Sequence, residues 1–405
     1  MFICQFCKSD QVKEVLYLGS LPPVNDMPKI DSSVKATNTF PVSLCFCSIC
    51  TLTQIGITLD KEIVFPHSYP YLSGVTKSLV NNFKDQAIKV NELINLNQKD
   101  LVVDIGSNDG SLLKHYRNHC RILGIEPTKA AESAIEEGID TINQYFTSSV
   151  VEEIISNHGK AKVVTACNVF AHISGLDELM FNISELLLED GIFVSESHYL
   201  LSLVESLQFD TIYHEHLRYY SLTFLEKLFE KYGFKIFNVE KIDSHGGSIR
   251  VWSSRSLSYG KKSSVKEMIG EEQKHGIVKI IGLEHFSSKV IAWRQEFRRV
   301  ITELKLDGAR ISGVGAPSRA STLIAFAGLT ELDLDAVAEV EGSAKIGHYM
   351  PGTRIPVEIE SEVLSKEPTH LLILSWHLKD SIMSNLRSKG FKGKFIIPLP
   401  NPHVD

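Results

Sequence analysis

Seven cysteines among 405 residues, an odd number with five of them in the first 50, do not make a disulfide scaffold. No apolar run approaches the roughly 18–20 residues needed to cross a bilayer, so no membrane span is expected. The start, MFICQFCKSD, lacks a basic stretch followed by an apolar one and does not read as a secretory signal. A cytoplasmic protein is the default expectation. There is no block of Lys or Arg, and the net charge is −7, which weighs against a nucleic-acid surface while leaving local basic points for acidic substrates. Neither of the chain's glycine-bearing turns reads G-x-G-x-x-G, which argues against a dinucleotide dehydrogenase. Tandem repeats and low-complexity tracts are absent as well. What is present is the balance of a soluble globular chain, 43% hydrophobic and 22% charged residues. The length exceeds one ordinary core and implies two or three domains.

The cysteines have a pattern. Cys4-x-x-Cys7 and Cys47-x-x-Cys50 form two knuckles. Each sets two thiolates about one metal radius apart on a tight turn, and two such turns complete a tetrahedron around zinc. A redox CxxC or simple buried thiols are the other readings. Cys45 breaks the spacing and reads as a bystander. Four Cys ligands leave no open coordination position, so this zinc is structural and not catalytic.

Three blocks follow from the patterning. Residues 1–72 hold the knuckles around a Pro-rich loop, Leu21-Pro-Pro-Val-Asn-Asp-Met-Pro28, with little to form a large core. Residues 73–243 alternate helix-like stretches (NNFKDQAIKVNELINL, DGSLLKHYRN, TKAAESAIEEG, LDELMFNISELLLEDG) with buried-strand runs (LVVDIG, RILGIEP, KVVTACNVFAHI, GIFVSE). That alternation means βαβ units and a parallel sheet. Residues 244–405 begin with a long polar helix-like segment near 264–305. The α/β pattern then resumes in RISGVGA, RASTLIAFAGL, LDAVAEV, THLLILSW, DSIMSNLRSKG and KFIIPLP. The fold class is α/β.

The strongest local chemistry is Asp104-Ile-Gly-Ser-Asn-Asp-Gly110, where a first strand turns toward a first helix. Ligands of open α/β sheets bind at such strand ends. Gly106 and Gly110 admit a close backbone approach. Asp104, Asn108 and Asp109 make the loop acidic, which suits a cofactor carrying an amino acid better than a diphosphate. Glu126, in Gly124-Ile-Glu-Pro127, ends the second strand with a carboxylate that can accept two ribose hydroxyls. Together these resemble the S-adenosylmethionine (SAM) site of class I methyltransferases. A turn glycine beside two solvated acids is the plainer alternative.

A second cluster is Phe209-Asp-Thr-Ile-Tyr213-His214-Glu215-His216. A histidine can take and return a proton at neutral pH, a carboxylate can orient an imidazole, and a phenol can donate to a developing oxyanion. If the segment is helical, Tyr213 and His216 share a face. A metal site or a polar cap on the sheet are the competing readings.

Beyond these local readings, the whole chain resembles the SAM-dependent C-methyltransferases of nucleotide-activated keto-deoxysugars. The matching stretches are the knuckles ending in Cys47-Ser-Ile-Cys50-Thr-Leu-Thr-Gln54, then Tyr71-Leu-Ser-Gly74, DIGSNDGSLL, GIEP and Asn168-Val-Phe-Ala-His172. They continue with FDTIYHEHLRYYSL, GGSIRVW and PGTRIPV. The resemblance implies an N-terminal zinc domain, a central SAM domain and a C-terminal Rossmann-like substrate domain. It also implies that Pro127 and Asn168 belong to the cofactor site. Tyr213, Glu215 and His216 fall at the sugar site, joined by His172 and by Tyr71, which has Tyr69 nearby. In that chemistry His216 removes the proton alpha to a ketone, Glu215 orients it, and Tyr213 or His172 donates to the enolate oxygen. Where the family's C-terminal turn carries lysine, Gly313-Val-Gly-Ala-Pro-Ser318-Arg319 carries arginine, and Glu339-Val-Glu-Gly-Ser-Ala-Lys345 replaces an Asp/Asn-rich stretch. Ser318 and Arg319 are expected at the substrate's diphosphate, as are Ser248 and Arg250 of Gly247-Ser-Ile-Arg250. An O- or N-methyltransferase, or a non-catalytic binding protein, stays open, and so does the choice between monomer and homodimer.

Overall fold

The computed structural model describes residues 2–30, 38–66 and 72–405. Tyr71 and Tyr69 lie outside the described residues. The N-terminal block is a small antiparallel sheet of β1 (Val12–Leu21), β2 (Phe40–Cys47) and β3 (Thr53–Ile55). Each knuckle is followed by a residue in the left-handed region, Lys8 at φ 60° and Thr51 at φ 70°, which turns the chain back over the thiols. The four sulfurs converge: Cys4 and Cys50 Sγ are 3.4 Å apart, Cys7 and Cys47 Sγ 3.6 Å, and all four lie within 4.8 Å of one another. Zn–S bonds of about 2.3 Å in a tetrahedron give S···S edges close to these separations. Cys45 is buried outside the cluster, and burial pushes its thiol up to about 12, so it stays a protonated apolar filler.

The middle of the chain supplies β4 (Leu101–Ile105), β5 (Arg121–Ile125), β6 (Thr141–Ile142), β7 (Ala161–Cys167), β8 (Leu187–His198), β9 (Arg218–Tyr219), β10 (Lys235–Ile242) and β11 (Ser248–Ser254). Seven of these form one sheet in the order β10-β11-β8-β7-β4-β5-β6, parallel from β8 to β6 with β10 and β11 antiparallel at one edge. The central strands are mostly apolar and buried, as strands covered by helices on both faces must be, with Asp104 of β4 and Thr165 of β7 paired to each other inside. β4 is buried at all five positions. The eighth strand, β9, leaves this sheet and pairs with β3, stitching the zinc block to the middle of the chain. β11 belongs to the central sheet through Ser254, so a boundary at 243 falls inside the β10–β11 hairpin.

Two helical expectations need correction. The stretch DGSLLKHYRN is not an α-helix and holds only a short 3₁₀ turn, Leu113–His115. Asn108 at φ 50° and Gly110 at φ 73° spend the would-be first helical turn on a left-handed loop. The polar segment near 264–305 is two helices, Ser263–His275 and Ile280–Leu306, and Gly276 in the left-handed conformation ends the first.

The C-terminal sheet contains β12 (Ile311–Val314), β13 (Val337–Glu339), β14 (Val357–Ile359), β15 (His370–Ile373), β16 (Lys394–Ile397) and β17 (His403–Val404), ordered β14-β13-β12-β15-β16-β17. All neighbours are parallel except β16 and β17. Among the described residues no helix is long and apolar enough to cross a membrane.

Candidate active site

In the central sheet the strand order reverses between β4 and β7; in the C-terminal sheet it reverses between β12 and β15. Ligands of open α/β sheets bind in the crevice beyond such a reversal. Here the two crevices open on one shared cavity of about 490 Å³. Gly106 and Asn108 reach it from the end of β4, Glu126 and Pro127 from β5, Asn168 and His172 from β7, and Ser197 and His198 from β8. Pro317, Ser318 and Arg319 enter after β12, Lys345 after β13 and His377 after β15.

The central end fits SAM. Gly106 sits at φ 68°, and a Cβ there would lie 2.6 Å from Val169 Cγ2, so only glycine keeps this wall thin. Glu126 is buried, accepting from the Asn108 amide at 3.0 Å and the Thr128 amide at 2.8 Å. Each carboxylate oxygen retains a lone pair for a ribose hydroxyl. Asn168, at φ 57°, presents a buried Oδ1 with no hydrogen-bond partner among the described residues. A buried orphan acceptor is costly unless a ligand donor such as an ammonium meets it. Three expected cofactor residues stand behind the loop and do not line the cavity. Asp104 accepts from Thr165 Oγ1 at 2.6 Å, and burial pushes its carboxyl up to about 7. Asp109 accepts from the Gly74 amide at 2.7 Å, and a Cβ on Gly110 would press on Ile139. Their work is to hold the loop's shape.

Across the cavity, His216 is the hub. Its ring centroid is 4.2 Å from that of Tyr213 and 5.0 Å from those of both His172 and His198. Burial lowers its pKa to about 4, so the imidazole is neutral. Nδ1 lies 2.7 Å from the Thr211 carbonyl. A carbonyl only accepts, so Nδ1 carries the proton and Nε2 is left with the lone pair of a base. The orienting group is therefore Thr211, not Glu215. Glu215 Oε1 instead accepts from Asn25 Nδ2 at 2.7 Å. Tyr213 is buried and its phenol is held protonated well above the ordinary range, first by burial and then by the charge of Glu215. His172 stacks on Phe65 at 5.4 Å, and burial keeps it neutral too. The segment is a 3₁₀ turn, Phe209–Thr211, followed by bends, and these bends, not a helical face, bring Tyr213 and His216 together. His214 turns away to the edge of Phe40, at 5.8 Å.

The C-terminal end is furnished differently from expectation. Arg319 lines the cavity, but its Nε and Nη2 form a bidentate pair with Asp210, both at 2.8 Å. Its Nη2 also reaches Gln208 and its Nη1 donates to His377 Nδ1 at 3.3 Å. Trp376 Nε1 donates to the same Asp210, and the guanidinium lies over the Trp376 ring at 4.8 Å. Ser318 Oγ donates to Asn25 Oδ1 at 3.1 Å. Lys345 donates to the Ala316 carbonyl at 2.6 Å, and burial lowers its pKa against the pull of Glu339 and Glu215. Ser248 and Arg250 correct the sequence expectation, because neither reaches the cavity. Arg250 is fully buried on β11, paired with Glu196 at 3.1 Å and Asp85 at 3.1 Å, and Ser248 Oγ donates to the Ser244 carbonyl.

Sequence reasoning missed Asn25, His198, His245 and His377. They carry no local motif. His198 is the last residue of β8 and His377 follows β15, and position at a strand end was the available signal. Burial lowers His245 to about 4 and His377 to about 3, so five neutral imidazoles surround the cavity.

A class I sheet with a cofactor-ready switch point, joined to a four-cysteine zinc site and a second Rossmann-like sheet, defines a SAM-dependent methyltransferase with a structural zinc. The comparisons sharpen the class. Residues 4–65 match a zinc binding domain, residues 83–239 a methyltransferase domain and residues 243–400 a C-methyltransferase C-terminal domain. C-methyltransferase NovU of Streptomyces niveus is 32% identical over 407 residues, covering 99% of this chain and 96% of that protein. The chain belongs to this C-methyltransferase family. Similar solved structures include a SAM-dependent methyltransferase from Clostridium acetobutylicum ATCC 824, 16% identical, covering 43% of this chain and 91% of that one, with a TM-score of 0.33. Another, from Anabaena variabilis ATCC 29413, is 16% identical over 47% of this chain and 89% of that one, with a TM-score of 0.35.

Proposed function

We propose that this C-methyltransferase acts on the carbon alpha to the ketone of a nucleotide-linked keto-deoxysugar, through an enolate, with His216 as the base. The observation that carries the reading is the tautomer of His216: Nδ1 is committed to Thr211, and the ring is neutral in a cavity shared by two switch points. A neutral imidazole with an unprotonated Nε2 can take the proton on carbon. The electron pair of that C–H bond moves to the ketone oxygen, where Tyr213 or His172 donates a hydrogen bond to the growing charge. Both are uncharged donors in a buried wall, so the stabilisation is worth more than in water. Bound SAM supplies the electrophilic methyl. His216, now an imidazolium, returns its proton to solvent after product leaves.

The nucleotide end of the acceptor is assigned to the C-terminal switch point, a second Rossmann-like crevice opening on the same cavity. Ser318 stands there at the start of the helix Ser318–Ala327. With Arg319 tied to Asp210, its part is to close the wall. Glu215 lines the same cavity, where its carboxylate can accept from a sugar hydroxyl. Tyr71 is retained as a site residue on the family resemblance.

The test is mass spectrometry of products from SAM and a panel of nucleotide-linked 4-keto-deoxysugars, with His216→Asn beside the wild type. The variant should bind SAM normally and lose about 10²–10⁴-fold in turnover, the usual share of a general base. It should also fail to exchange the proton alpha to the ketone in deuterium oxide. Near-wild-type methylation by the folded variant would remove His216 from the role, and a methyl on oxygen or nitrogen would remove the enolate.

A further inference from the structure

Asn25 lies in the Pro-rich loop of the zinc block, 190 residues before Glu215. Its side-chain amide spans the site. Nδ2 donates to Glu215 Oε1 at 2.7 Å, and Oδ1 accepts from Ser318 Oγ at 3.1 Å. The amide's orientation is forced, because an ionised carboxylate can only accept and so must face the NH₂. One side chain thus ties the zinc block, the central block and the C-terminal helix start together at the cavity wall.

The loop that delivers it is held on both sides. The Val24 carbonyl accepts from Ser321 Oγ at 3.1 Å, the Pro28 carbonyl accepts from the Tyr349 amide at 2.8 Å, and the Ile30 amide donates to the Gly347 carbonyl at 3.1 Å. Pro22, Pro23 and Pro28 restrict the backbone around it, so little entropy remains to be lost when the amide is set. A loop anchored this firmly, with its amide on a cavity-wall carboxylate, is built for placement and not for surface cover.

We infer that Asn25 is a positioning residue of the active site: the zinc block contributes to methyl transfer by holding the Glu215 carboxylate in the cavity wall. The inference rests on the assignment of Glu215 to the acceptor site. Tyr213, His216, Arg218, Tyr219, Arg319 and Lys345 are among the titratable groups that line the same cavity, together with the other four neutral imidazoles. Tyr213 and His216 are uncharged, while the Asn25 amide donates to the carboxylate and the Lys345 charge attracts it.

Zinc-loaded full-length protein decides the matter in two arms. In the first, the melting temperature of Asn25→Asp is compared with wild type from pH 5 to pH 8. Two facing carboxylates raise their folded pKa above the ordinary value, so the variant's stability holds at low pH, where the pair shares a proton, and falls as pH rises. The gap to wild type should widen toward pH 8, and its pH dependence should vanish in a Glu215→Gln background. A pH-independent gap, or a pH dependence that persists in the Glu215→Gln background, overturns the contact. In the second arm, Asn25→Ala should lower kcat/KM for the methylated acceptor by up to about a hundredfold, the cost of a misplaced group, with SAM affinity unchanged. Asn25→Asp should recover part of that loss at pH 5. Equal kcat/KM in all three proteins overturns the positioning role. If wild type methylates no acceptor of the panel, the sugar assignment fails, and the thermal arm still decides whether Asn25 holds Glu215.

Discussion

The two switch points that share the cavity are built on the same topology and finished in opposite ways. At the end of the central sheet, polar groups are left with spare valence: Asn168 Oδ1 has no partner among the described residues, and Glu126 is held by two backbone amides. At the end of the C-terminal sheet, the chain satisfies its own groups. Arg319, Asp210, Trp376, Gln208 and His377 form a closed network, and Glu339 accepts from the Ala316 amide inside the glycine-bearing turn. Spare valence marks a site prepared for a ligand. A closed network marks a wall whose own stability is at stake. The contrast explains why a charged residue in a promising turn is a poor guide to binding until its partners are known.

The sharpest way to break this contrast is Asp210→Asn. Removing the carboxylate leaves the Arg319 guanidinium buried with half its fork unpaired, which typically costs about 3–5 kcal/mol. Chemical denaturation should show that loss, while calorimetry finds SAM affinity intact. Unchanged stability with a raised KM for the acceptor would mean that Arg319 serves the substrate's phosphates after all and that the network is only a resting arrangement.

Much of this was legible from residues alone, for identifiable reasons. Cysteine spacing fixes a metal site because a tetrahedron needs two short turns and little else. Parallel strands show themselves as short, mainly apolar runs, and β4, β7 and β15 are legible that way. Arg250 was misplaced because Gly247-Ser248-Ile-Arg250 reads as a polar turn, whereas Ser248–Ser254 is a fully buried strand that carries Ile249, Val251 and Trp252. Its guanidinium faces the carboxylates of Glu196 and Asp85, partners 54 and 165 residues away, which no local pattern reveals. Asn25 and His245 were missed for the same reason: a single polar residue in a loop acquires meaning only when folding sets it against a distant one. Family resemblance reached Tyr213, Glu215 and His216, but only the folded chain assigns the orienting bond on His216 to Thr211.

On the central side, Glu126→Ala should weaken SAM binding by about 1.5–3 kcal/mol, the range for hydrogen bonds to a charged group. The same substitution should leave the C-terminal network's stability contribution untouched, because Glu126 bonds to the loops after β4 and β5 while Arg319 bonds to Asp210, Gln208 and His377. Isothermal calorimetry reads the first statement and a double-mutant comparison with Asp210→Asn reads the second, with additive stability losses expected. Unchanged SAM affinity would mean that Glu126 only braces the loops after β4 and β5, and the two ends would then be alike.

The smallest expected effect concerns His377, and at neutral pH it is close to nothing. His377 Nδ1 accepts from Arg319 Nη1, so the ring works as a neutral acceptor that completes the network. Burial, reinforced by the Arg319 charge, lowers its pKa to about 3, against about 6.5 in an unfolded chain. Between those values the unfolded chain binds a proton that the folded one refuses, so this group's contribution is whole above pH 6.5 and is lost as pH falls toward 3. Glutamine keeps an acceptor oxygen and has no such titration. His377→Gln should therefore match wild type within about 1 kcal/mol at pH 8, where only one neutral hydrogen bond is exchanged for another. As the pH falls below 6 the wild type should lose stability faster than the variant. His172, His198, His216 and His245, lowered in the same direction, contribute to the slope that remains in the variant, as do His115, His214 and His370 and the paired carboxylates of Asp85 and Asp177. Parallel curves for the two proteins from pH 8 to pH 4 would mean that His377 is wetter than its place in the wall implies, and the C-terminal end would be as open as the central one.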